Sequence, residues 1–150
     1  MTLEAPTSPS ADPAAAPAEP SRALEATIRT AGLVVAMLAA VFSAVLELVL
    51  TPLRVGGVPI GVAVPAAVVG NLAICWFALT TVGRRWALGP PWVVWTLITF
   101  FAAAGFRTAE GDYLISGDNW VALVMIFVGS LTFAVYLYRQ ILKQPPVTKM

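Results

Sequence analysis

The stretch Thr30–Leu50, TAGLVVAMLAAVFSAVLELVL, decides the fold of this chain. It carries one ionisable residue, Glu47, and no Pro, so nothing in it interrupts a helix. At about 1.5 Å per residue it makes roughly 31 Å of helix, the thickness of a bilayer's hydrocarbon core. Pro52 ends it, and the RVGGVPIG that follows, with two adjacent Gly and Pro59, is turn chemistry. A second apolar run, 60–82, carries Pro65 in its first turns, where a missing N–H costs least, and Asn71 close to its centre. Gly83, Arg84, Arg85, Gly89, Pro90 and Pro91 read as a loop, with Trp86, Trp92 and Trp95 around it as residues of a water–lipid interface. A third run, 92–106, measures only about 22 Å and is short for a crossing. The polar segment RTAEGDYLISGDN then leads to a fourth run, 120–142, which ends among Tyr136, Tyr138, Arg139 and Lys143, an interfacial anchor.

Composition agrees with these four runs. Hydrophobic residues make up 59% of the 150 and charged residues 11%, far from the balance of a soluble domain. Residues 1–24 hold Pro6, Pro9, Pro13, Pro17 and Pro20 among Ala, Ser and Glu, too little apolar surface to offset the entropy of ordering. The first basic residue is Arg22, which is not the arrangement of a signal peptide. The expected architecture is an all-α membrane protein: a disordered tail over 1–24, a four-helix transmembrane domain over 25–143, and a short tail over 144–150. Arg22, Arg29, Arg84, Arg85, Arg139, Lys143 and Lys149 fall on one side of the threading, and only Arg54 and Arg107 on the other. By the positive-inside rule both termini are cytoplasmic.

Function classes narrow quickly. With no His and one Cys, the common zinc, haem and di-iron ligand sets and an internal disulfide are excluded, and no cofactor is implied. A net charge of +1 offers no footprint for nucleic acid. No nucleophile with a base, phosphate-binding glycine loop or paired membrane carboxylates occur, so the chain reads as a non-enzyme whose certain partner is the bilayer.

The candidate residues form two groups. Glu47 is the one acid inside an apolar span, about 25 Å along the helix from Thr30 and so near its outer end. There it forms either an interfacial ion pair with Arg54 or Arg107 or the proton or cation ligand at the mouth of a pathway. Glu110, Asp112 and Asp118 join it in an outer-face polar cluster. Their spacing lacks the closing Glu of a calcium loop and fits turn and cap chemistry, with Asp118 or Asn119 capping the fourth helix. The second group is a helix-packing set: Gly32, Ala36, Ala40 and Ala44 at four-residue spacing, Ala66 and Gly70 in the next span, and Asn71 as a polar contact between helices. Such stripes serve internal packing or a face for a partner. Cys75 reads as a small packing residue.

The run TAEGDYLISGDNWVALVMIFVGSLTFAVY, residues 108–136, resembles a family of small actinobacterial four-helix integral membrane proteins of unknown function. The resemblance implies an inner-membrane location and four helices, and no activity, cofactor or catalytic residue. Small multidrug transporters also have four helices and one Glu in the first, but their Glu lies deep in the span and their basic residues are balanced between faces. The leading expectation is therefore an accessory or assembly subunit of a larger membrane complex, joined to a membrane-protein partner or to copies of itself. The alternative is a small oligomeric proton- or cation-coupled transporter that uses Glu47.

Overall fold

The computed structural model describes residues 21–104 and 119–143. Helix α1 covers Arg22–Leu50, α2 Ala63–Val82, α3 Gly89–Ala103 and α4 Trp120–Leu142. Two two-residue strands, β1 (Arg54–Val55) and β2 (Val58–Pro59), pair antiparallel between α1 and α2, a small departure from an all-helical chain. Gly56 and Gly57 link them at φ 58° and 84°, values that L side chains rarely adopt.

The helix ends follow local chemistry. Ser21 Oγ accepts from Leu24 N at 3.3 Å and Glu25 sits in the first turn of α1, both favourable at the positive end of the helix dipole. This start places residues 22–24, expected in the disordered tail, inside the helix, while residues 1–20 lie outside the described residues. Helix α2 opens at Ala63, not at residue 60, and closes on Gly83, whose positive φ lets its N–H reach Leu79 O at 2.8 Å. Asn119 caps α4, its side chain accepting from Ala122 N at 3.3 Å.

The third span differs most from expectation. A 3-10 turn over Arg85–Leu88 runs straight into α3, and together they are 19 residues long. Gly89, Pro90 and Pro91, read as loop residues, form the first turn of α3, where the proline nitrogens would have no intrahelical acceptor anyway. The helical segment thus starts at 85 rather than 92 and ends at 103. At about 1.5 Å per residue in α3 and 2.0 Å in the 3-10 turn, it reaches about 30 Å and is no longer short. Each of the four helical segments is long and apolar enough to cross a membrane.

Helix α1 packs on α2 and α3, and α4 packs on α2 and α3, closing a ring in the order α1, α2, α4, α3. The seam between α1 and α2 is built of small residues. Gly32, Ala36, Ala40 and Ala44 are buried on α1 and Ala63, Ala67, Asn71, Cys75 and Ala78 on α2, and the two helices meet closely at Gly32 against Thr81 and at Ser43 against Gly70. Ala66, expected in the packing set, is half-buried. Gly70 is half-buried too, but it does meet α1: a Cβ there would stand 2.5 Å from Ser43 Oγ. Larger side chains, Trp95, Met125 and Phe133, fill the space between α3 and α4.

A third or less of each helix's most apolar stretch is buried, and Phe42, Trp76 and Phe127 stand well exposed. In water such a surface would drive aggregation; against lipid tails it carries no penalty. Thr80, Thr99 and Thr132 turn their hydroxyls onto backbone carbonyls three or four residues earlier, which keeps those groups satisfied in an apolar medium. For orientation below, the end of the bundle holding Arg29, Arg84 and Arg139 is the basic end, and the end holding the strand pair is the hairpin end.

Candidate functional site

Spans of this composition carry few polar side chains, and the fold gathers several of them at one level of the bundle. Glu47 is 1% exposed and Asn71 0%, so both are interior residues. Ser43, one turn before Glu47 on α1, donates its hydroxyl to Glu47 Oε1 at 2.5 Å. The other carboxyl oxygen, Oε2, accepts from Trp95 Nε1 of α3 at 2.9 Å. Asn71 of α2 donates Nδ2 to the backbone carbonyl of Gly129 in α4 at 3.3 Å. All four helices thus contribute to one polar centre.

Steric fit explains why small residues stand at these levels. A Cβ on Gly129 would overlap the six-membered ring of Trp95 at Cη2 and Cζ2, and would lie 3.0 Å from Asn71 Nδ2. The Trp95 indole therefore occupies a notch that only glycine leaves open. Its other neighbour is Phe133, with ring centroids 6.3 Å apart and planes tilted by 48°. A Cβ on Gly70 would approach Glu47 Oε1 at 3.5 Å, which puts the carboxyl at the level of Gly70 in α2.

That level fixes the depth of the site. Gly70 lies about 10 Å along α2 from Ala63, Trp95 about 12 Å from the end of α3, and Gly129 about 14 Å from the start of α4. Glu47 itself is in the last turn of α1, but a helical side chain leans back toward the N-terminus, and here that lean carries the carboxyl inward. The expected place at the end of the span is therefore corrected: the carboxyl lies about 10–14 Å in from the hairpin-end termini of α2, α3 and α4. The expected ion pair with Arg54 is corrected as well, since Arg54 is exposed in β1 and the one ion pair among the described residues is Arg29–Glu25. Arg107, Glu110, Asp112 and Asp118 lie outside the described residues.

Trp95, grouped by sequence with the interfacial Trp86 and Trp92, is instead fully buried, while those two are exposed. Asn71 makes the helix-to-helix contact expected of it, with a backbone carbonyl as the acceptor. Gly32, Ala36, Ala40 and Ala44 are used within the bundle, Gly32 lying so close to Thr81 that a Cβ would meet its methyl group. Cys75 is buried in the α2 stripe. Ser43, Trp95 and Gly129 were not among the expected site residues. The Ser43–Glu47 pair has a visible signal, the i, i+4 spacing of two polar residues on an apolar helix. Gly129 has none.

Chemically the centre holds, among the described residues, one carboxyl served by two neutral donors and an amide whose buried Oδ1 has no hydrogen-bond partner. Among the described residues no three Asp, Glu, Cys or His gather as a metal site would require. No known protein family, curated protein or solved structure matches this chain.

Proposed function

We propose that the chain is a non-enzymatic accessory or assembly subunit of a larger complex in the inner membrane, with both termini cytoplasmic. The observation that supports this reading is the closed character of the polar centre. Its carboxyl is held by donors from α1 and α3 and its amide by a carbonyl from α4, and both side chains are buried. A bundle locked in this way offers a partner its outer helical surface. The small-residue stripe no longer serves as that surface, because it faces α2. The test is photo-crosslinking in intact cells from exposed positions such as Phe42 and Phe127, with buried Ala40 as the control. A discrete adduct from one exposed face and none from Ala40 is expected. No adduct from any exposed face, and no co-purifying protein across several mild detergents, would overturn the reading.

A second reading is favoured by one specific observation. Glu47 lies deep in the bundle with no cation beside it among the described residues, as an acid that takes up and releases a proton during transport would. This depth removes one of the departures from small multidrug transporters; the uneven basic residues remain. Glu47→Gln separates the two readings: it abolishes proton-coupled uptake in reconstituted vesicles under the transport reading and leaves partner binding intact under the first.

A further inference from the structure

At the basic end, a depression of about 330 Å³ opens between α1 and the segment that joins α2 to α3. Glu25, Ala26, Arg29, Thr30 and Leu33 of α1 line one side, and Val82, Arg84 and Trp86 the other. Its composition changes with depth. Val82 is buried and Leu33 half-buried, an apolar floor, while the side chains of Arg29 and Arg84 reach the solvent-exposed rim with Trp86, which is 57% exposed. We propose that this depression binds the headgroup phosphate of an anionic phospholipid. The proposal rests on the four-span reading of the fold and is independent of whether the chain is an accessory subunit or a transporter.

Three features together select that ligand. First, two guanidinium groups from different elements converge on one opening. Planar donor forks are well matched to phosphate oxygens, and basic pockets between helix ends are a recurrent way of holding lipid headgroups. Second, Arg84 makes no ion pair among the described residues, so its charge is available, whereas Arg29 is held by Glu25 at 2.5 Å. Third, the site stands where apolar helix gives way to polar chain, level with an exposed Trp. A phosphate there is followed inward by acyl chains that meet Leu33 and Val82. A free phosphate ion would satisfy the rim but leave that apolar floor uncovered.

The test uses the full-length protein, purified in mild detergent and stripped of lipid, with phosphatidylglycerol, phosphatidylcholine and inorganic phosphate each titrated alone. Binding is followed by native mass spectrometry and by the shift in melting temperature. Phosphatidylglycerol should bind and raise the melting temperature, and neither phosphatidylcholine nor inorganic phosphate should do so at the same concentration. Arg84→Gln should weaken phosphatidylglycerol about fivefold, the worth of one basic residue at a membrane surface. Arg139→Gln removes the same charge at the same end, but from a depression on the α2–α4 side, and should change affinity less than about twofold because solvent and salt screen it. Glu25→Gln releases Arg29 and should tighten binding, a gain that a poorly folded variant does not produce. Equal losses from Arg84→Gln and Arg139→Gln, equal binding of the two lipids, or binding of inorganic phosphate as tight as that of phosphatidylglycerol would each overturn the proposal.

Discussion

Two regions of this bundle, the α1–α2 seam and the surroundings of α3, are built in opposite ways. Between α1 and α2, small buried residues predominate, Gly32, Ala36, Ala40 and Ala44 on one helix and Ala63, Ala67 and Ala78 on the other, and the helices approach closely at Gly32 and Gly70. Between α3 and its neighbours α1 and α4, one large side chain does most of the filling. Trp95 inserts its ring against Gly129 and gives its N–H to Glu47. Lipid tails compete equally for apolar contacts, so a membrane bundle gains little from hydrophobicity and relies on fit and on polar contacts between helices. The first seam uses fit spread over many small residues. The second concentrates fit and hydrogen bonding on a single residue, which makes it the more fragile.

Substitutions should expose that difference. Gly129→Ala carries the largest expected effect, because the new methyl would overlap an indole that is itself fully buried and hydrogen-bonded and cannot swing away. Overpacking of this kind costs about 1–3 kcal/mol, visible as a lowered melting temperature in detergent. Trp95→Phe should come next. It keeps an aromatic ring but leaves Glu47 Oε2 without its donor inside the bundle, a loss of about 1–2 kcal/mol in the same assay. Gly32→Ala, in the other seam, meets only the Thr81 side chain, which is half-exposed and can change rotamer. Its cost should stay below about 1 kcal/mol. Asn71→Leu should have the smallest effect, within about 1 kcal/mol of neutral. It removes a hydrogen bond to Gly129 but also a buried Oδ1 that has no partner among the described residues. A Gly32→Ala variant less stable than Gly129→Ala would reverse the comparison.

The same contrast explains what the sequence could convey. The α1 stripe is legible because its repeat coincides with the helical period, so residues 4 apart share a face. In α2 the expected spacing of Ala66 and Gly70 does reach α1 at Gly70, but the fully buried alanine is Ala67, because Ala-rich composition offers adjacent rows of similar content and only the neighbouring helices choose among them. The extent of the third span was hidden by Gly89, Pro90 and Pro91, which signal a loop in isolation but are tolerated in a first turn. Trp95 was read with Trp86 and Trp92 because one Trp near a basic loop looks like another. What distinguishes it is an acid on α1, 48 positions earlier, and a glycine on α4, and neither contact leaves a local pattern. The depth of Glu47 was misjudged for a related reason: position along the helix locates the Cα, while the carboxyl sits most of a turn further in.

The bond between Glu47 and Trp95 holds the polar centre together, and a double-mutant cycle tests it most directly. Glu47→Met, Trp95→Phe and the pair are compared for unfolding free energy in one detergent, with Glu47→Met and Arg54→Gln as a parallel cycle. The Glu47–Trp95 cycle should return a coupling of about 1 kcal/mol, the usual size of a hydrogen bond between membrane helices, and the Glu47–Arg54 cycle should be additive. Additivity in the first cycle with coupling in the second would place the carboxyl at the interface with Arg54 and contradict the buried polar centre.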